Sequence, residues 1–294
     1  MKKNIEYIKK KHPLTIGQAN RVAKEFGNFD RNSIYLFDYV TSCLPYNQKL
    51  SYRTNVITVT AKELYNLLFG YVSRKILTDK QFNSLNSAVT KMLSTPLQLK
   101  NSEHYLFTKT VNQTVDNEGF QQLIFTFAKD QTAKDYFYNL RHDYFTYSVE
   151  EMVSFKSAMT LKLYKYSLSL LKGNYKAEKV LSKEDLDNIF RDNNKKFSDM
   201  THAQIAIQAG IKNLSENKIT NKVVSIISKE INDPASHGNL IKLIVTSLVK
   251  QNYKEDSDDE HVSLLNIEDQ DSDFHKFAGT TMEKEASNDD ISLF

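Results

Sequence analysis

Two stretches of this chain carry one pattern at a fixed distance. Shifted by 122 positions, TAKELYNLL (Thr60–Leu68) lies over SKEDLDNIF (Ser182–Phe190), with a hydroxyl residue first, an acid fourth, Leu fifth and Asn seventh. A hydroxyl residue three places before an acid forms a capping box, in which each side chain satisfies the other's orphan backbone N–H at a helix start. The following segment keeps step: Leu85, Val89 and Met92 fall on Ile207, Ile211 and Leu214, at a spacing that puts each set on one helical face. A hairpin signal then closes each copy, EHYLFTKTV and FQQLIFTFA around NQTVDNEG, then KITNKVVSIIS and NLIKLIVTSLV around DPASHGN. Cap, core stripe and hairpin recurring at one offset predict two related units.

Helix, helix, hairpin is the outline of a winged helix-turn-helix, so the expected class is α+β. The expected architecture is tandem winged helix-turn-helix domains related by an internal pseudo-repeat and followed by a disordered acidic tail. The expected boundaries are a basic leader over 1–30, carrying Lys2, Lys3, Lys9, Lys10 and Lys11, a first winged domain over 31–147, a second over 148–250 and the tail over 251–294. Within the leader, TIGQANRVAKEFG has the look of a short helix. SIYLFDYVTSCL has helical spacing, NVITVT alternates as a strand, Gly70 closes the helix after it, and Pro96 ends the amphipathic helix that carries Phe82, Leu85, Val89 and Met92. Between the copies, Met152, Met159, Leu163, Tyr166 and Leu170 form an apolar stripe that predicts one long helix ending at Gly173.

The formal charge of +3 over 294 residues conceals a division: residues 251–294 hold 13 acids and 3 lysines, so the remainder holds 36 Lys or Arg against 23 acids. A basic body suits a polyanion, because each Lys or Arg set against a phosphate releases condensed counterions. The tail is too acidic to bury much and reads as disordered. No run of apolar residues is long enough to span a bilayer, and MKKNIEYIKKKHPL is charged where a signal peptide is apolar, so the expected location is the cytoplasm, away from membranes.

The same residues carry no catalytic signature. One cysteine, Cys43, excludes an internal disulfide and a multi-cysteine zinc site, and the histidines at 12, 104, 142, 202, 237, 261 and 275 give neither HxxxH nor HxH. No glycine falls in GxxxxGK[ST] or GxGxxG. The expectation is a protein that is not an enzyme, with no metal and no cofactor.

If the stripe of the second helix-turn-helix faces inward, the helix after Asp199 presents His202, Gln204, Ile205, Gln208, Ala209, Lys212 and Asn213. Gln pairs with adenine, Lys with guanine, and Ile or Ala meets a thymine methyl, while the helix N-terminus near Met200–His202 suits a phosphate. Lys218, Asn221, Lys222 and Lys242 are expected wing contacts to phosphate. The first copy offers Lys80, Asn83, Ser87, Thr90 and Lys91, shorter side chains suited to backbone contact.

These residues resemble a family, the replication initiator proteins of iteron-containing plasmids. DYFTYSVEEMVSFKSAMTLKLYKYSLSLL is similar to the family's hallmark, an FT turn followed by a linker and a helix with LY, with Phe145, Thr146, Leu163 and Tyr164 in those places. AIQAGIKNLSEN (Ala206–Asn217) resembles the end of its recognition helix, although His202, Ala203, Gln204 and Ile205 stand where relatives often carry arginines. The resemblance implies binding of double-stranded DNA at direct repeats of an origin, opening of AT-rich DNA and recruitment of a replicative helicase and a host initiator. It also implies a homodimer in equilibrium with monomer, the dimer formed through the first domain and repressing the chain's own gene. The competing reading is a winged-helix transcription regulator with no part in replication. The last residues, Asp290-Ile291-Ser292-Leu293-Phe294, resemble the short motif by which bacterial replication proteins dock on the sliding clamp, with Ile291, Leu293 and Phe294 as the apolar anchors and Asp290 in place of the usual Gln.

Overall fold

In the computed structural model, residues 15–43, 56–99, 102–138, 143–191, 195–233 and 238–249 are described. The leader lysines, the acidic tail and the motif Asp290, Ile291, Leu293 and Phe294 lie outside them. The chain begins with β1 (Thr15–Ala19), a 3-10 turn (Asn20–Lys24), α1 (Arg31–Ser42), β2 (Val56–Thr60), α2 (Ala61–Phe69) and α3 (Asp79–Ser94). It continues through the short strands β3 (Leu97–Leu99) and β4 (Ser102–His104), then β5 (Phe107–Val115), β6 (Gln121–Phe127), α4 (Gln131–Tyr138), β7 (Tyr144–Ser148) and α5 (Val149–Ser154). The second half holds α6 (Ala158–Leu171), β8 (Lys176–Leu181), α7 (Lys183–Phe190), α8 (Met200–Glu216), a 3-10 turn (Thr220–Lys222), β9 (Val224–Asp233) and β10 (Gly238–Ser247).

Both expected caps form. The Glu63 N–H donates to Thr60 Oγ1 at 3.2 Å and the Thr60 N–H to Glu63 Oε2 at 3.3 Å, while Asp185 and Ser182 do the same at 3.1 and 2.9 Å. Thr78 with Gln81 and Ser148 with Glu151 build two more such boxes. Gly70 ends α2 with φ +117°, a conformation closed to side chains at low cost. Thr95 turns extended at the end of α3, as a residue before Pro96 must.

The repeat is visible in the sheets. β6 lies between β2 and β5, and β10 lies between β8 and β9, all antiparallel. Each first strand leads directly into a capped helix and pairs with the last strand of its copy, so Val59 faces Leu123 and Leu181 faces Ile241. α7 and α8 keep the 122-residue offset from α2 and α3, but the second hairpin arrives a few residues early. The β3–β4 pair fills the passage from α3 to the first hairpin, where the second copy has only the turn Thr220–Lys222. Neither that pair nor α4 is foreshadowed by the periodicity.

Three expectations need correction. Residues 15–30 are not a free leader: Thr15–Ala19 is a strand, paired antiparallel with β7 from Thr15↔Ser148 to Ala19↔Tyr144. Ile16, Val22 and Phe26 are fully buried there. Phe145 and Thr146 accordingly sit within strand β7 rather than in a turn. The long linking helix is two helices, broken at Phe155–Ser157, where Phe155 is extended and its carbonyl accepts the Tyr35 hydroxyl. The break swings the buried Phe155 ring onto Tyr164, with centroids 5.1 Å apart. Lys172 and Gly173, both at positive φ, then end α6.

α6 is the central post of the core. Leu161, Leu163, Tyr164, Tyr166 and Leu171 are buried, and so are Thr160, Lys162, Lys165, Ser167 and Ser169, so burial runs round the helix instead of along one stripe. It packs against the first 3-10 turn, β7, β8, α7, α8 and β10. Beside it Phe26, Phe29, Phe37, Phe107 and Phe137 meet edge to face with centroids 5.0 to 5.9 Å apart. Edge-to-face contacts of this kind add about 0.5–1.5 kcal/mol per pair beyond the burial itself.

Candidate nucleic-acid interface

α8 is positioned by what it buries. Ala203, Ile207, Gly210 and Leu214 turn inward, with Gly210 against α6: a Cβ there would stand 3.0 Å from Leu163 Cδ2. The inward set fixes the outward one. Thr201, His202, Ile205, Gln208, Ala209 and Lys212 are exposed on the opposite side, and Gln204 is half-buried at its margin. Ile205 is 59% exposed, an unusual place to leave an aliphatic side chain in water. A thymine methyl would cover it, and Gln208 one turn on can engage an adenine edge in the same groove.

Several expected contacts are redirected. The α8 N-terminus is occupied by Asp199, whose Oδ1 accepts from the His202 N–H at 2.8 Å and whose two oxygens both lie 2.9 Å from His202 Nδ1. The His202 N–H and then its ring hold the Asp199 carboxyl below its ordinary value, so a carboxylate stands where a phosphate was expected and His202 is turned toward it. Asn213 donates to Thr160 Oγ1 at 3.4 Å and so leans on α6. Lys212 reaches Glu216 only at 3.8 Å, both well exposed, a weak pair that a base or phosphate can replace.

Lys218 and Lys222 are exposed, but they lie in the connection from α8 to β9, with Asn221, and not on the hairpin. Lys242 is on the hairpin, yet it is paired with Glu178, which also meets Lys176 at 3.0 Å. Those two ammonium groups hold the Glu178 carboxyl below its usual range. Of the expected wing residues, Lys218, Asn221 and Lys222 therefore lie on the connection, and Lys242 on the hairpin shares Glu178 with Lys176.

The first copy presents its face in the same way. Leu85, Val89, Met92 and Leu93 turn inward, and Lys80, Asn83, Ser87, Thr90 and Lys91 are exposed. At the repeat offset, Lys80 matches His202, Asn83 matches Ile205, Ser87 matches Ala209 and Thr90 matches Lys212. Lys91 is committed elsewhere, 2.6 Å from Asp30, the N-cap of α1. Burial works to raise the Asp30 carboxyl, but the hydrogen bonds from Lys91 and Ser33 outweigh it and hold the group low.

Three further cations flank the two faces without lying on either helix. Arg74 and Lys196 are exposed in the loops that lead into α3 and α8, at positions related by the same offset of 122, and Lys195 is exposed beside the second. The repeat itself is the signal that would have found them. Among the described residues no three His, Cys, Asp or Glu side chains gather as a metal site, and no helix is long and apolar enough to cross a membrane.

No curated protein matches the chain in sequence. In structure it is similar to a Pi initiator protein solved by crystallography in complex with iteron DNA. The two are 12% identical with a TM-score of 0.56, and the match covers 81% of this chain and 98% of that one. At that identity the likeness speaks for the fold. A family model described as Initiator Replication protein, WH1, matches residues 15–168, starting at the first residue of β1 and ending inside α6. With more than half its length inside that match, the chain belongs to the initiator replication protein family.

Proposed function

We propose that the chain initiates replication of a plasmid by binding repeated duplex sequences at its origin. The two copies act as tandem winged-helix domains, with the α8 face as the main reader and the α3 face as the partner that grips backbone. The observation that carries this is the outward set Ile205, Gln208, Ala209 and Lys212 on a helix of a chain in the initiator family. Arg74, Lys196, Lys218 and Lys222 supply phosphate contacts beside the two faces. In this reading the protein works in the cytoplasm, without catalysis, by marking and opening the origin and recruiting the host helicase and initiator. Dimers paired through the first copy repress the gene, and monomers initiate.

Deleting the gene from a plasmid that carries the origin tests the reading. Loss of replication, restored by the wild-type chain supplied in trans, is expected. Normal replication with altered transcription would instead establish a transcription regulator. The terminal motif is a separable part of the proposal: Leu293→Ala with Phe294→Ala should abolish capture of the purified sliding clamp while leaving DNA binding intact. Unchanged capture removes the clamp from the account.

A further inference from the structure

The segment between the first 3-10 turn and α1 touches the supports of both reading helices. At one end is Gly27, where nothing larger fits: a Cβ would stand 2.6 Å from the Asn188 carbonyl oxygen and 2.7 Å from that of Arg191, at the C-terminal end of α7. The Gly27 carbonyl accepts from Lys162 Nζ at 2.7 Å, and the same ammonium reaches the Phe190 carbonyl at 3.4 Å. Lys162 is only 4% exposed, so a buried cation on α6 clamps this segment onto the negative end of α7, one short loop before α8. At the other end is Asp30, which caps α1 and holds Lys91 of α3 at 2.6 Å. Phe29 between them is buried, which leaves the strap no slack.

We propose that the strap Gly27–Asp30, clamped by Lys162, fixes the distance and rotational phase between the α3 and α8 faces and so sets the length of DNA site the chain accepts. These are positioning residues. The inference rests on the reading that both faces engage one duplex. Its physical basis is that each base pair moves a groove by about 3.4 Å and about a tenth of a turn, so a frame that holds two helices rigidly admits one spacing. Loosening the frame exchanges affinity at that spacing for tolerance of others.

The test uses the full chain and a duplex that the wild type selects from a random pool, with derivatives in which single base pairs are inserted or removed between the segments protected by α3 and by α8. The wild type should lose about tenfold in affinity for each base pair of displacement, the scale of a mismatched contact. Gly27→Ala and Lys162→Met should bind more weakly at the selected spacing and hold nearly constant affinity across the series. Lys91→Met, a change at an exposed side chain that does not threaten folding, should flatten the series in the same direction but by less, because both partners of its pair with Asp30 are exposed to water. If these variants weaken equally at every spacing, or stay as strict as the wild type, the strap has no part in setting site length. If the wild type itself ignores spacing, the two-face reading fails first, an outcome distinct from the failure of the strap.

Discussion

At the scale of single residues the most consequential feature is a fully buried ion pair. Lys165 and Asp38 are fully buried, and the ammonium lies 3.0 Å from both carboxylate oxygens and 3.5 Å from the Phe26 ring centroid. Gln18 donates to Asp38 at 2.6 Å, and the Tyr147 hydroxyl donates to the other oxygen. Burial pulls Lys165 down to about 8 against the attraction of Asp38, and it pushes the Tyr147 hydroxyl well above its usual range, so Tyr147 remains a donor. Removing one partner strands the other: Asp38→Asn should cost about 3–5 kcal/mol in chemical denaturation, and Asp38→Asn with Lys165→Met should recover much of that. A double variant no more stable than the single would show the pair is not the source of the loss. Glu25 behaves in the opposite sense to a paired acid. Burial, opposed by Lys24, raises its carboxyl to about 7, so the folded state keeps a proton that the unfolded state gives up near 4.5. Its contribution is therefore complete below about pH 4.5 and is lost as pH rises toward 7. Glu25 is half-exposed, so solvent screening reduces the effect; Glu25→Gln should flatten this part of the stability profile, and an unchanged slope would contradict the assignment. None of this was legible in the sequence. Lys162 and Lys165 look there like the polar side of an amphipathic helix, and Asp38 lies 127 residues from Lys165.

At the scale of elements, what the sequence dictates locally was legible, and what it owes to distant partners was not. The boxes at Thr60 and Ser182 and the inward stripe of α8 depend on neighbours a turn away, and they stand as expected. β1 depends on β7, so TIGQA reads as a piece of helix until Tyr144–Ser148 is beside it. The break between α5 and α6 has neither Pro nor Gly to announce it; Tyr35, 120 residues away, donates to the Phe155 carbonyl there, and the Phe155 ring packs on Tyr164 of α6 itself. The same division sorts the residues proposed to read DNA. Periodicity placed Gln208 and Lys212 outward correctly, but it could not see that Asp199 would claim His202 or that Glu178 would claim Lys242. Lys212→Ala should therefore cost about 1–3 kcal/mol on the repeated sequence and little on random duplex. An equal loss on both makes Lys212 a phosphate contact. Lys242→Ala should leave the affinity where it was.

At the scale of the whole molecule, one pattern of strand, helix, helix and hairpin is used twice and joined through α6, and the family match spans the first copy and most of that joint. The 122-residue recurrence is legible in the sequence because cap, stripe and hairpin are each local and only had to agree. Gly27, Lys162 and Lys165, which tie residues 27–38 to α6 and α7, are marked by no period. If both copies grip one duplex through some six or more phosphates, log K should fall with log salt at a slope near −5 or steeper, at about −0.9 per phosphate. Hydroxyl-radical footprinting on the plasmid's own origin tests the central claim most directly. Repeated sites are expected, each protected in two adjacent segments on one side of the helix, with Gln208→Ala and Lys212→Ala together clearing one segment and Lys80→Ala and Asn83→Ala together clearing the other. Uniform protection without repeats, or a single segment untouched by either pair of changes, would contradict it.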